Sequence, residues 1–153
     1  MRTRTLVLLL LSFAAALSAV GLWKDLQVVK IGSPEVMVPV SEGEVFFRTY
    51  IHSMYQVPVS EKFRIEYGHF KLVHVQTQSD AVLAYLGLEG KNEPNAHGNF
   101  REFSVPAASI GDHVLRFHDR DIPLGTHEGR DGSIHVRLVR IPVLAYFARL
   151  VWR

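Results

Sequence analysis

The densest run of chemically capable side chains is Tyr50-Ile51-His52-Ser53, followed after a short spacer by Pro58-Val59-Ser60-Glu61-Lys62-Phe63. If the first run is extended, Tyr50 and His52 share one face, because side chains alternate along a strand. Glu61 enters from the next strand and is expected to lie across from His52. A carboxylate accepting the imidazole N–H there would fix the tautomer and favour the charged form. Such a Tyr50–His52–Glu61 network can specify a hairpin or meet a ligand. Ser53 follows His52 directly, so on a strand the two point apart and do not form a nucleophile–base pair. Tyr50, His52, Ser53 and Glu61 are therefore read as ligand- or partner-contact residues, with no catalytic residue among them.

Other chemistries find less support. The chain has 8 histidines, none at the helical spacing of a zinc protease motif and none as His-x-His on a strand. His69 and His74, and likewise His113 and His118, are five apart, and no metal is expected. With no cysteine, a disulfide framework, a thiolate nucleophile and a lipid-modified cysteine are excluded. The chain lacks a G-x-S-x-G elbow, a phosphate loop and a dinucleotide fingerprint. Asp112, Asp119 and Asp121 read as turn residues. The reading is of a non-enzyme without a cofactor.

The elements that must carry these residues are mostly strands. Leu26, Val28 and Lys30 are expected to face one way, with Gln27 and Val29 the other. Pro34 and Pro39 confine Glu35 to Val40 to an edge or irregular strand. Glu42-Gly43 reads as a turn. Val45 to His52 alternates, with Phe46, Arg48, Tyr50 and His52 on one face and Val45, Phe47, Thr49 and Ile51 on the other. Val57 to Tyr67 and Phe70 to Gln76 form a hairpin about Gly68. Phe70, Leu72, His74 and Gln76 oppose Lys71, Val73 and Val75. Ser79 caps a short helix closed by Gly87. Lys91 to Asn99 and Gly125 to Ser133 are loops. Phe100 to Val105, His113 to Phe117, Ile122 to Leu124 and Ile134 to Ile141 are further strands, with His118 to Asp121 as a turn. The pattern predicts a mainly β fold. It is a single antiparallel β-sandwich or barrel-like domain over 25–142 with one short helix, preceded by an N-terminal hydrophobic helix.

Residues 1–23 stand apart. Arg2 and Arg4 precede an apolar run, Leu6 to Val20, broken only by Ser12 and Ser18 and extended through Trp23. These are the parts of a secretory signal, with cleavage after Ser18 or Gly21. Thr5 to Trp23 would also measure about 28 Å as a helix, long enough for an uncleaved anchor. Either way the arginines stay cytoplasmic and the remainder is exported.

Among 153 residues, 48% are hydrophobic and 21% charged, which fits one packed domain. Setting aside Arg2 and Arg4 from the 17 basic residues leaves 15 against 15 acidic ones. This balance gives nucleic-acid binding no basic face to use. The tail, 143–153, is basic and apolar. Val143, Phe147 and Leu150 share one helical face, and Arg149 and Arg153 another. Either the tail docks on the core, or Tyr146, Arg149, Trp152 and Arg153 meet a partner or a membrane surface.

Tyr50-x-His52-Ser53, a spacer and Pro58-Val59-x-Glu61-x-Phe63 resemble the bacterial family known as domain of unknown function 1850. The resemblance extends from Val45 to Ile141. Thr77 and Ser79 match a later part of that pattern. The Gly-rich run that usually follows is replaced here by Asp80-Ala81-Val82-Leu83-Ala84-Tyr85-Leu86, as in a divergent branch. The resemblance implies a small exported or anchored protein encoded beside TRAP-type permeases of the TAXI class. It implies the role of an accessory subunit at the periplasmic face of the inner membrane. The alternative reading is a free periplasmic module that binds a small ligand or an ion.

Overall fold

The computed structural model describes residues 24–88, 99–106, 113–126 and 132–152. The N-terminal apolar run, most of both expected loops, His97, Asp112, His127 and Arg153 lie outside them. The chain divides into two compact units, one spanning Val28–Val139 and a smaller one to which residues 24–27 and 140–152 belong.

The larger unit is mainly β, built from two antiparallel sheets. Among the described residues ten strands run in chain order: β1 (Asp25–Ile31), β2 (Val36–Pro39), β3 (Val45–Ile51), β4 (Pro58–Glu66), β5 (His69–Thr77), β6 (Asn99–Phe100), β7 (Glu102–Pro106), β8 (Val114–Phe117), β9 (Arg120–Pro123) and β10 (Ser133–Pro142). Helix α1 (Asp80–Tyr85) follows β5, and α2 (Val143–Val151) follows β10. One sheet has the order β2-β1-β10-β7, the other β6-β5-β4-β3-β8-β9. As expected from its prolines, β2 is an edge strand.

The inward faces of the sheets meet in one apolar core. Val29, Ile31, Val38, Ile134, Val136 and Leu138 come from the first sheet. Phe46, Phe63, Phe70, Leu115 and Phe117 come from the second. Phe46 is its centre, stacked on Phe63 at 5.1 Å and Phe117 at 4.7 Å and meeting Phe70 edge-on at 5.4 Å. These offset and edge geometries suit the ring quadrupoles and add about 0.5–1.5 kcal/mol per pair beyond area burial. A smaller cluster, Val59, Val75, Val82, Leu83 and Leu88, lies where α1 covers the end of the second sheet.

The β4–β5 hairpin turns through Tyr67 and Gly68, both at positive φ (52° and 71°). This is the type I′ geometry that matches strand twist. Along the hairpin, Lys62 pairs with His74 but Phe63 with Leu72, so Val73 is an extra residue, a β-bulge. The bulge corrects the expected alternation. Beyond it, Val75 faces Glu61 and turns inward, fully buried. In β1, likewise, Val28 and Val29 are both buried despite their opposite parity.

Two more expectations change. The single strand expected over Phe100 to Val105 breaks at Arg101. Phe100 pairs with Phe70 in one sheet, and Glu102 pairs with Arg137 in the other. Asp121 belongs to β9 rather than to the turn, where it faces Arg116 and takes two hydrogen bonds from it, at 2.6 and 2.7 Å. That pairing holds the Asp121 carboxyl below its usual range.

In the smaller unit, β10 leads through Pro142 directly into α2, so the tail is a helix. The Val143 N–H donates to the Lys24 carbonyl at 3.0 Å. No residue of α2 is buried. Among the described residues, no helix is long and apolar enough to cross a membrane.

Candidate binding site

The inward face of β3 carries Phe46, Arg48 and Tyr50 in succession, so a charged and then a phenolic side chain follow the core phenylalanine. The antiparallel register sets Arg48 opposite Glu61 of β4. Arg48 Nη2 donates to Glu61 Oε1 at 2.8 Å, and Nε lies 2.8 Å from Oε2, so one charge-assisted hydrogen bond stands beside one close charge contact. The Tyr50 hydroxyl donates to the same Oε1 at 3.0 Å. Glu61 is only 4% exposed, so its charge depends on these donors. The Arg48 guanidinium also sits 4.9 Å over the Tyr50 ring and 5.5 Å over that of Phe103.

Burial, reinforced by the neighbouring Glu61 charge, pushes the Tyr50 phenol from 10.0 up to about 12. At neutral pH Tyr50 is therefore protonated, and its hydroxyl donates to Glu61. His113, at the start of β8, stacks on the Tyr50 ring at 4.7 Å and 15°.

His52 closes the β3–β4 connection. Its N–H donates to the Val57 carbonyl at 2.9 Å, and its carbonyl accepts from Gln56 N–H at 2.7 Å. Its ring lies 5.2 Å from those of Tyr55 and Tyr85, the latter edge-on. Tyr85 is delivered by α1. Ser79 caps that helix, its hydroxyl accepting from Val82 N–H at 3.4 Å. At the other end, Gly87 N–H bonds to Ala84 and Leu88 N–H to Leu83, the Schellman closure, with Gly87 at φ +72°. His52 is 8% exposed, and its Nδ1 is buried without a hydrogen-bond partner. Such a group costs roughly 1–3 kcal/mol if left unsatisfied.

Around these side chains is a cleft of about 270 Å³ lined by Arg48, Tyr50, His52, Ser53, Tyr85 and His113, with Ser104 and Pro106 on its far wall. Its size is at or below the lower end for small-molecule sites, about 300 Å³, and suits a side chain or a very small solute. An open groove of about 460 Å³ runs beside it past Thr49, Ile51, Pro58, Ser60, Gln76 and Gln78. It offers no charged group. Among the described residues, no cluster of three or more His, Cys, Asp or Glu could hold a metal ion.

The expected site residues are partly reunited. Tyr50, His52 and Ser53 line the cleft, and Glu61 lies behind it. The expected His52–Glu61 contact is not formed. Glu61 pairs across the ladder with Arg48, three residues short of the strand's end, and His52 turns into the connecting loop instead. Arg48 and Tyr85 were not anticipated, and His113 was not among the expected contact residues. Arg48 had a signal, since it shares parity with Tyr50 and a charge on an inward face needs a counter-ion. His113 had no local signal, because the β3–β8 pairing brings it in from far along the chain. Tyr146 and Arg149 lie on α2 and Trp152 caps its end, in the other unit. No protein-family model matches the chain, and neither a curated protein nor a solved structure matches it.

Proposed function

We propose that this chain is an accessory, non-catalytic subunit exported to the periplasmic face of the inner membrane, where it accompanies a TRAP-type permease of the TAXI class. The observation that supports the non-catalytic part is the internal use of the site's carboxylate and phenol. Glu61 is held by Arg48 and Tyr50, and the Tyr50 proton is locked onto Glu61. What remains open is a small aromatic-walled cleft fit to receive a partner's side chain. The permease as partner is supported by the resemblance over Tyr50–Phe63, and the tether by the apolar run before Lys24.

The test is an affinity tag after Arg153, mild solubilisation of native membranes and identification of what co-purifies. A permease in stoichiometric amount, lost in a Tyr85→Ala variant that remains folded, is the expected result. A chain that purifies alone from the soluble exported fraction would sink the proposal. The unpartnered His52 Nδ1 favours a second reading, a free module binding a small solute. That reading expects a ligand-induced rise in Tm that His52→Phe removes.

A further inference from the structure

We infer that α2 is an interfacial membrane helix, lying in the bilayer surface beside the point where the chain's apolar segment emerges. The inference rests on the tether reading above and adds a second contact with the same membrane. Three observations carry it. First, the Val143 N–H to Lys24 carbonyl bond joins the start of α2 to the residue immediately after the apolar run that ends at Trp23. A spanning segment that ends there leaves the start of α2 at bilayer level. Second, α2 shows a broad apolar side. Leu144, Phe147 and Val151 follow one another at i, i+3 and i+7, with Leu150 adjacent. Leu144, Phe147 and Leu150 are each about half exposed, Val151 is 81% and the capping Trp152 90% exposed. Leaving such a surface in water forgoes about 25 cal/mol per Å². Third, residues 143–153 contain two arginines and no acid, a basic composition that suits anionic headgroups. At nine residues, α2 is about 13 Å long and cannot span a hydrocarbon core of about 30 Å, so it lies along the surface. Trp152 at its end is the residue type that interfaces favour.

The two tryptophans make the test direct. The full chain is reconstituted in phosphatidylcholine–phosphatidylglycerol vesicles whose acyl chains are brominated either near the headgroup or near the bilayer centre. In a Trp23→Phe variant, Trp152 is the sole reporter. It is expected to lose most of its emission to shallow bromines and little to deep ones. Phe147→Asp with Leu150→Asp, both at exposed positions, is expected to abolish that loss while circular dichroism is unchanged. In a Trp152→Phe variant, Trp23 reports on the tether alone. Trp23 quenched with Trp152 unaffected would overturn the inference and leave the tether standing, the face then being covered by protein. Neither quenched would overturn both. Deep quenching of Trp152 would also overturn it, since the helix would then be inserted rather than interfacial.

Discussion

Phe46 and Arg48 stand two residues apart on the same face of β3, and the sheet buries them by opposite means. Phe46 is enclosed by three phenylalanine rings that ask only for shape. Arg48 is enclosed by one carboxylate and two ring faces, those of Tyr50 and Phe103, each at a set distance. The apolar end is governed by volume, and a modest shift of ring against ring leaves it buried. The polar end is governed by register, because moving β3 two residues along β4 keeps its inward face but would part Arg48 from Glu61 and leave both charges inside. The phenylalanine end supplies stability and the arginine end alignment.

Breaking the apolar end should cost most. Phe46→Ala opens a cavity at the meeting point of the rings and is expected to destabilise by about 3–5 kcal/mol in urea unfolding followed by far-UV circular dichroism. Glu61→Ala strands Arg48 in the interior and should cost about 3 kcal/mol. Tyr50→Phe removes one hydrogen bond to a charged group, about 1.5 kcal/mol. The same variant also has a signature in pH. The folded phenol sits at about 12 against an ordinary 10.0, so the folded state holds the proton more tightly than the unfolded one. The Tyr50 contribution is complete below pH 10 and is lost as pH rises through 12. Tyr50→Phe should flatten that alkaline decline, and an unchanged decline would contradict the burial assigned to Tyr50. Ser79→Ala, which uncaps the helix carrying Tyr85, should cost about 1 kcal/mol. The smallest change is expected from the double variant Arg48→Met with Glu61→Leu, within about 1 kcal/mol of the parent. If the double variant instead loses as much as Glu61→Ala, the ion pair is itself a source of stability and the contrast with Phe46 fails.

The features legible in the sequence were those encoded by neighbours. The alternation of β3, the turn at Gly68, the Ser79 cap and the edge placement of the Pro39 strand each follow from a few adjacent residues. The features that were not legible depend on what lies opposite. Val73 becomes a bulge only because Lys62 and Phe63 pair across a gap in the ladder. Arg101 becomes a break because its two flanks pair with different sheets. The site divides in the same way. Tyr50 and His52 announce themselves by shared parity, whereas Glu61 was identified but assigned to the wrong partner. Local pattern gives a strand's face without the residue it meets, and the offset came from the loop between His52 and Val57. Nothing near His113 tells of Tyr50, since their meeting is a consequence of the β3–β8 register.

The break at Arg101 has a mechanical side. Phe100 is laced into one sheet and Glu102 into the other, while the Arg101 carbonyl accepts from Leu138 N–H at 2.8 Å. Arg101 thus stitches the two layers together, and the seam runs beside the Phe100 and Phe103 rings, edge-on at 6.0 Å. Sliding one layer over the other would have to be absorbed within two peptide units. Under load from a bound partner, the layers should yield together, and force applied to either one should arrive in the other at this stitch.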